Sequence, residues 1–151
     1  MKYIAHRGLI DGPDIQNENR LDTIMNTLHE GYDAEIDVWL HNGQWYLGHD
    51  EPKHYIDKQF LTMPGLWIHC KNLEALLEIK YVGFNLEYFW HQEDDYTLTS
   101  NGFIWTYPGK PLTINSICVQ PERQFLELDE FQAECYGVCS KYVRLLKQNA
   151  K

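Results

Sequence analysis

The chain has no run of basic residues, and its 13 Lys and Arg are outnumbered by 22 Asp and Glu, for a formal net charge of -9. That balance repels polyanions, so nucleic acid is disfavoured as a partner. A single phosphate stays within reach if a divalent cation and a few placed bases reverse the sign locally. No apolar stretch approaches the ~20 residues a membrane-spanning helix needs. The opening MKYIAHRG lacks the apolar core of a signal peptide. Cys70, Cys118, Cys135 and Cys139 form no CxxC pair and no zinc-finger spacing with histidine, so reduced thiols in a soluble, cytoplasmic protein are expected. Linkers, low-complexity tracts and internal repeats are also missing, which makes 1–151 one domain, long enough to bury a core without disulfides.

Aromatic residues, by contrast, are abundant for a chain this short, with ten Tyr and five Trp. Lys2 to His6 reads as a strand and Gly8 to Gln16 as a loop. Asn19 is placed to cap a helix whose stripe is Leu21, Ile24, Met25 and Leu28, with Gly31 as its stop. A strand from Tyr32 to Leu40 turns at Asn42-Gly43 into Gln44 to Gly48, which delivers His49-Asp50 at a strand end. After a polar loop, Leu66 to Lys71 is a further strand, and Asn72 caps a short helix with Leu73, Leu76 and Leu77 facing inward. Apolar segments at Phe84 to His91, Phe103 to Tyr107, Ser116 to Val119 and Tyr136 to Val143 continue the alternation. A weak helix is expected between Phe125 and Cys135 and a terminal one from Val143 to Ala150. Strand, connection and strand in succession predict an α/β fold with largely parallel strands.

In Ala34-Glu35-Ile36-Asp37-Val38 the period-two geometry of a strand puts both carboxylates on one face. Two like charges on one buried side repel unless a proton or a cation intervenes, and oxygen ligands suit a divalent metal. A pair of solvated strand carboxylates is the plainer alternative. His6 and His49 stand at strand ends, where two imidazoles titrating near neutrality can take and give a proton. Either alone reads equally as a surface or core histidine. His29, His41 and His54 read as surface residues.

Taken in order, Ile4-Ala5-His6-Arg7-Gly8, Glu18-Asn19, Glu35-Ile36-Asp37-Val38 and His49-Asp50 resemble the glycerophosphodiester phosphodiesterase family, within the phospholipase-C-like phosphodiesterases. The resemblance implies a TIM (β/α) barrel, here reduced or irregular because such barrels typically need about 250 residues. It also implies His6 and His49 as the catalytic acid/base pair and Glu35 and Asp37 as metal ligands. Arg7 would neutralise phosphate, and Glu18 would orient Arg7 or the metal site. The family's third carboxylate belongs to a Glu-x-Lys strand, but this chain has His69-Cys70-Lys71 there. Lys71 keeps the phosphate-binding ammonium, while His69 offers a softer ligand than a carboxylate. The implied metal is therefore Mg²⁺ or Ca²⁺, with Mn²⁺ or Zn²⁺ admitted by His69.

His91, at the end of an aromatic strand, is a candidate to orient substrate or to complete the metal sphere; a structural histidine is the alternative. Residues 137–142 look like a degraded form of the family's closing strand. The implied activity is hydrolysis of a glycerophosphodiester or similar small phosphodiester. The rivals are a phosphodiester lyase releasing cyclic phosphate, and a non-catalytic phosphate-binding or interaction domain, for which His69 is the best argument. Bare flanks left by missing outer helices predict a second subunit, that is, a homo-oligomer.

Overall fold

The computed structural model describes residues 1–124, 128 and 131–150. Short apolar segments punctuated by turn residues give ten strands among them: β1 (Lys2–His6), β2 (Asp33–His41), β3 (Gln44–Leu47), β4 (His54–Ile56), β5 (Leu66–Cys70), β6 (Glu87–Phe89), β7 (Tyr96–Leu98), β8 (Ile104–Thr106), β9 (Ser116–Val119) and β10 (Gly137–Ser140). Seven of these run parallel, in the order β6-β5-β2-β1-β10-β9-β8. Chain order is thus preserved on both sides of β1, and all seven C-terminal ends lie along one rim. The Asn42-Gly43 turn, left-handed at both residues, folds β3 antiparallel onto the second half of β2, and β4 adds to β3.

The sheet is curled into a half-barrel, and its two faces have separate cores. Side chains from distant strands meet on the concave side, where Trp67 of β5 lies 6.1 Å and Phe89 of β6 lies 4.5 Å from Trp105 of β8, ring centre to ring centre. Ile4, Ile117 and Cys139 complete that cluster. The convex face is covered by α1 (Leu21–His29), α2 (Leu73–Glu78) and α3 (Val143–Asn149). Ile24 of α1 and Ala75 of α2 pack with Ala34, Ile36, Val38 and Ile68, while Val143 and Leu146 of α3 meet Ala5 and Val138. Each fully buried Ile, Leu or Val in these clusters contributes about 1.5–3 kcal/mol of transfer free energy. Because Ala34, Ile36 and Val38 face the helices, period two turns Glu35 and Asp37 to the concave side.

Several elements differ from expectation. Asn19 does not cap α1; Arg20 precedes the helix without a side-chain cap bond, and Asn19 sits at φ 54 with its side chain committed elsewhere. Asn72 does cap α2, accepting from the Ala75 amide. Leu73 and Leu77 nevertheless point to solvent, because Ala75 and Ile79, four residues apart, form the buried face. Leu21 and Met25 are likewise exposed, with Ile24 and Thr27 buried in their place. The polar loop after Asp50 contains β4, so His54 is a half-buried strand residue. The helix expected between Phe125 and Cys135 lies partly outside the described residues, and 131–135 has no helix. No helix among the described residues is long and apolar enough to cross a membrane.

Candidate metal and phosphate site

The register of the parallel strands fixes who meets whom at the rim. His6 of β1 pairs with Glu35 of β2, and Asp37 pairs with His69 of β5. One donor atom each from Glu35, Asp37 and His69 lies within 4.8 Å of the others, and all three residues are buried. His69 Nδ1 stands 3.0 Å from Asp37 Oδ1 and 3.8 Å from Glu35 Oε1. Its other nitrogen, Nε2, lies 3.3 Å from the His91 carbonyl. Without a metal, Nδ1–H donates to Asp37; with one bound, a proton held on Nε2 by the His91 carbonyl would leave the Nδ1 lone pair for the ion, which is how metal-ligating imidazoles are usually oriented. Two carboxylates and one such nitrogen fit a divalent cation.

Cations of the chain itself surround this centre. Arg7, in the left-handed region at φ 56, donates its backbone N–H to Glu35 Oε2 at 3.0 Å. Its side chain donates to Glu18 Oε1 at 2.8 Å and brings Nε to 3.4 Å from Asp37 Oδ2, where that buried Nε makes no hydrogen bond among the described residues. Lys71 Nζ is 3.6 Å from Asp37 Oδ1, and Lys141 Nζ is 2.9 Å from Glu18 Oε2. Asn19 braces Asp37 from both sides, donating from Nδ2 to Oδ2 at 2.8 Å and accepting the Asp37 amide at 3.0 Å.

Burial and the adjacent Asp37 push the Glu35 carboxyl up to about 8, against the pull of Arg7 and Lys71. Burial also pushes on Asp37, but the His69 hydrogen bond and charge, with Lys71 and Arg7, hold it below the usual carboxylate range. The pair therefore keeps one proton more readily than two charges.

His6 is buried beside Glu35, its Nε2 at 3.8 Å from Oε2, and burial together with the Arg7 charge lowers it to about 3. Gln120, left-handed at φ 47 after β9, brings its amide nitrogen to 3.0 Å from His6 Nδ1, while its oxygen is 3.4 Å from Arg123 Nη1. With the amide so oriented, Nδ1 accepts and His6 carries its proton on Nε2.

His49 is brought to the same rim by Gly48, whose N–H donates to the Asp37 carbonyl at 3.1 Å and whose carbonyl accepts from Trp39 Nε1 at 2.6 Å. At φ 152 a side chain on residue 48 would run into the Glu51 carbonyl, so only glycine allows this approach. The His49 ring is 37% exposed and pairs with Asp50 at 2.6 Å. It lines one cavity of about 370 Å³ with His69, Lys71 and His91. A narrower cleft of about 120 Å³ joins it to Glu18 and Asn19.

All the residues expected at the site from sequence thus reach the rim. His91 does so behind the centre: it stacks on His69 at 4.5 Å and 5° and offers no donor to the Glu35, Asp37 and His69 group. Asn19, Gln120 and Lys141 were not anticipated there. Period two from the inward Cys139 would have pointed to Lys141, whereas nothing local marks Gln120. No family model, no curated protein and no solved structure matches the chain.

Proposed function

We propose that the chain is a metal-dependent phosphodiesterase acting on a glycerophosphodiester or similar small phosphodiester, on a reduced (β/α) barrel. The observation that carries this reading is the meeting, at one rim, of three buried metal-type donors with Arg7, Lys71, His6 and His49. Parallel strands in chain order on both sides of β1 support the reading of a barrel with few outer helices.

A divalent cation held by Glu35, Asp37 and His69 would supply electrostatic stabilisation of a phosphate oxygen and of the attacking oxygen. Arg7 neutralises a non-bridging phosphate oxygen, and Lys71 takes a share of the developing charge. Glu18 holds Arg7 and Lys141 in place. His6 and His49 exchange the protons of the attacking hydroxyl and the leaving alcohol. His49 is the more solvent-exposed of the two, at 37% against 10% for the His6 side chain. Gln120 holds the His6 ring in one tautomer. His69 favours Mn²⁺ or Zn²⁺ alongside Mg²⁺ and Ca²⁺ as the ion.

The apolar stripe of Leu73, Leu77, Tyr81 and Phe84, each 56% to 99% exposed, supports a homo-oligomer. Side chains of this size bury roughly 150 Å² or more each, so the stripe offers on the order of 500 Å², against about 800 Å² per partner in a standard interface.

The test is hydrolysis of glycerophosphocholine and of bis(p-nitrophenyl) phosphate with Mg²⁺, Ca²⁺, Mn²⁺ and Zn²⁺ in parallel, with phosphorus NMR of the product. Loss of at least ~100-fold in rate in His49→Ala, with its circular dichroism unchanged, is expected for an acid/base group. A cyclic phosphate as final product would make the enzyme a lyase. Binding of phosphate without turnover under any metal would replace the enzyme by the non-catalytic phosphate-binding domain, a reading that His69 at 3.0 Å from Asp37 favours because it supplies the centre with a cation of its own when protonated.

A further inference from the structure

At the opposite end of the sheet, where the parallel strands begin, lies a second cavity of about 570 Å³. Lys2 of β1, Asp33 of β2, Trp67 of β5 and Glu87 of β6 line it, with Phe103 and Tyr136 from the residues that lead into β8 and β10. Its volume falls within the ~300–1,000 Å³ of small-molecule sites. Lys2 and Asp33 satisfy each other at 3.1 Å, and Trp67 Nε1 donates to Asp33 at 3.0 Å. Glu87, a half-buried residue on the cavity wall, has no such partner among the described residues: it makes no ion pair, and its inner oxygen, Oε1, accepts no hydrogen bond. One carboxylate charge is therefore left over in a cavity walled by aromatic rings. Trp67 and Phe103 lie 5.4 Å apart, and Phe103 and Tyr136 4.2 Å apart.

The chemistry of these walls selects an occupant. A buried carboxylate oxygen costs free energy until a donor reaches it, most effectively a charged N–H. Aromatic faces attract organic cations and offer nothing to an anion. A bare divalent metal finds too few oxygen ligands here, since it takes six or more as a rule. A quaternary ammonium suits the rings but brings no hydrogen for the Glu87 carboxylate. We infer that this cavity binds a primary ammonium or guanidinium compound, with Glu87 as its anchor and Trp67, Phe103 and Tyr136 as its walls. The site is independent of the phosphodiesterase reading and lies at the other end of the sheet from Glu35 and Asp37.

Isothermal titration of the full chain with agmatine tests this, with 1-butanol as the uncharged control and tetramethylammonium as the cation without a donor. Saturable binding of one agmatine per chain is expected, with neither control matching it. Glu87→Gln keeps the shape and removes the charge, and should weaken agmatine binding by at least about tenfold. Asn101→Lys, on the exposed turn at the cavity's edge, places a competing cation there and should weaken it comparably. If the Glu87→Gln protein does not fold by circular dichroism, the Asn101→Lys variant decides. The inference falls if agmatine shows no saturable binding up to ~10 mM, if either folded variant binds it as the wild type does, or if Mg²⁺ displaces it, since that would place the cation at the acidic centre.

Discussion

Glu35→Gln should abolish a loss of stability that the metal-free protein suffers on the alkaline side of neutrality. Glu35 is 2% exposed, and its carboxyl is raised from an ordinary 4.5 to about 8. The folded state therefore holds the proton more tightly than the unfolded chain does. Its contribution is fully present below pH 4.5 and is lost as pH rises toward 8. His6 acts on the other side: lowered from 6.5 to about 3, it costs stability only as pH falls below 6.5. Between pH 6.5 and pH 8 Glu35 acts alone of the two, and at 1.36 kcal/mol per pH unit that interval is worth about 2 kcal/mol. Urea denaturation in EDTA at about pH 6.5 and about pH 8 measures it directly. Wild type should lose roughly that amount and Glu35→Gln should lose none, becoming the more stable protein at the higher pH. Mg²⁺ or Mn²⁺, which bind the ionised carboxylates, should restore the wild type more at the higher pH than at the lower. Equal stability of wild type at the two pH values, or an equal loss in the Glu35→Gln protein, would refute the picture of two carboxylates sharing one proton.

Asn19→Ala should destabilise by about 3 kcal/mol in the same assay, because it removes two buried hydrogen bonds to Asp37, one to the charged carboxylate, at a left-handed residue; a loss below about 1 kcal/mol would mean that Asp37 finds other partners. Gln120→Leu removes the donor that favours neutral His6, so the acid limb of the kcat/KM profile should move to higher pH by about one unit with kcat reduced. A profile unchanged in shape would make Gln120 a packing residue only. Leu77→Glu and Phe84→Glu place charges on the exposed stripe and should reduce the mass found by light scattering to that of one chain, whereas a wild type already monomeric at ~100 μM would leave the stripe without a second copy.

The parts of the fold legible in sequence are those with a period. Residues 33–38 alternate polar and apolar, and that alternation alone separates the helix-facing Ala34, Ile36 and Val38 from the rim-facing Glu35 and Asp37. Strands of three residues carry no period; β6 and β8 are legible because they lie in longer apolar segments, whereas β4 and β7 are flanked by polar residues and pass for loop in the sequence. For α2 the cap at Asn72 was readable but the buried face was not. Leucines mark a core face only where a layer exists to receive them, and with few outer helices to pack against, the small Ala75 turns inward and Leu73 and Leu77 turn outward. Asn19 illustrates the other failure: its position before a helix is a cap signal, but a partner 18 residues away offered a charged, buried acceptor and won.

The site was readable wherever a strand displayed it and unreadable where a loop reached across the rim. Gln120 meets His6 over 114 residues of separation. Its role depends on a left-handed turn after β9 that no residue type announces. The charges so assembled explain the arrangement better than any single contact does. Glu18, Glu35 and Asp37 stand against Arg7, Lys71 and Lys141, so with all six ionised the centre is neutral. The cations, with His69, hold Asp37 ionised but do not offset burial and the Asp37 charge at Glu35, so the pair is buried side by side with one proton retained on Glu35. In the phosphodiesterase reading, a divalent ion in place of that proton carries the centre to two positive charges. A phosphodiester brings one negative charge and approaches two as its bond to the incoming oxygen forms. The surplus would then be matched to the charge at the point of reaction rather than to the resting substrate, which is the condition for catalysis as opposed to tight binding.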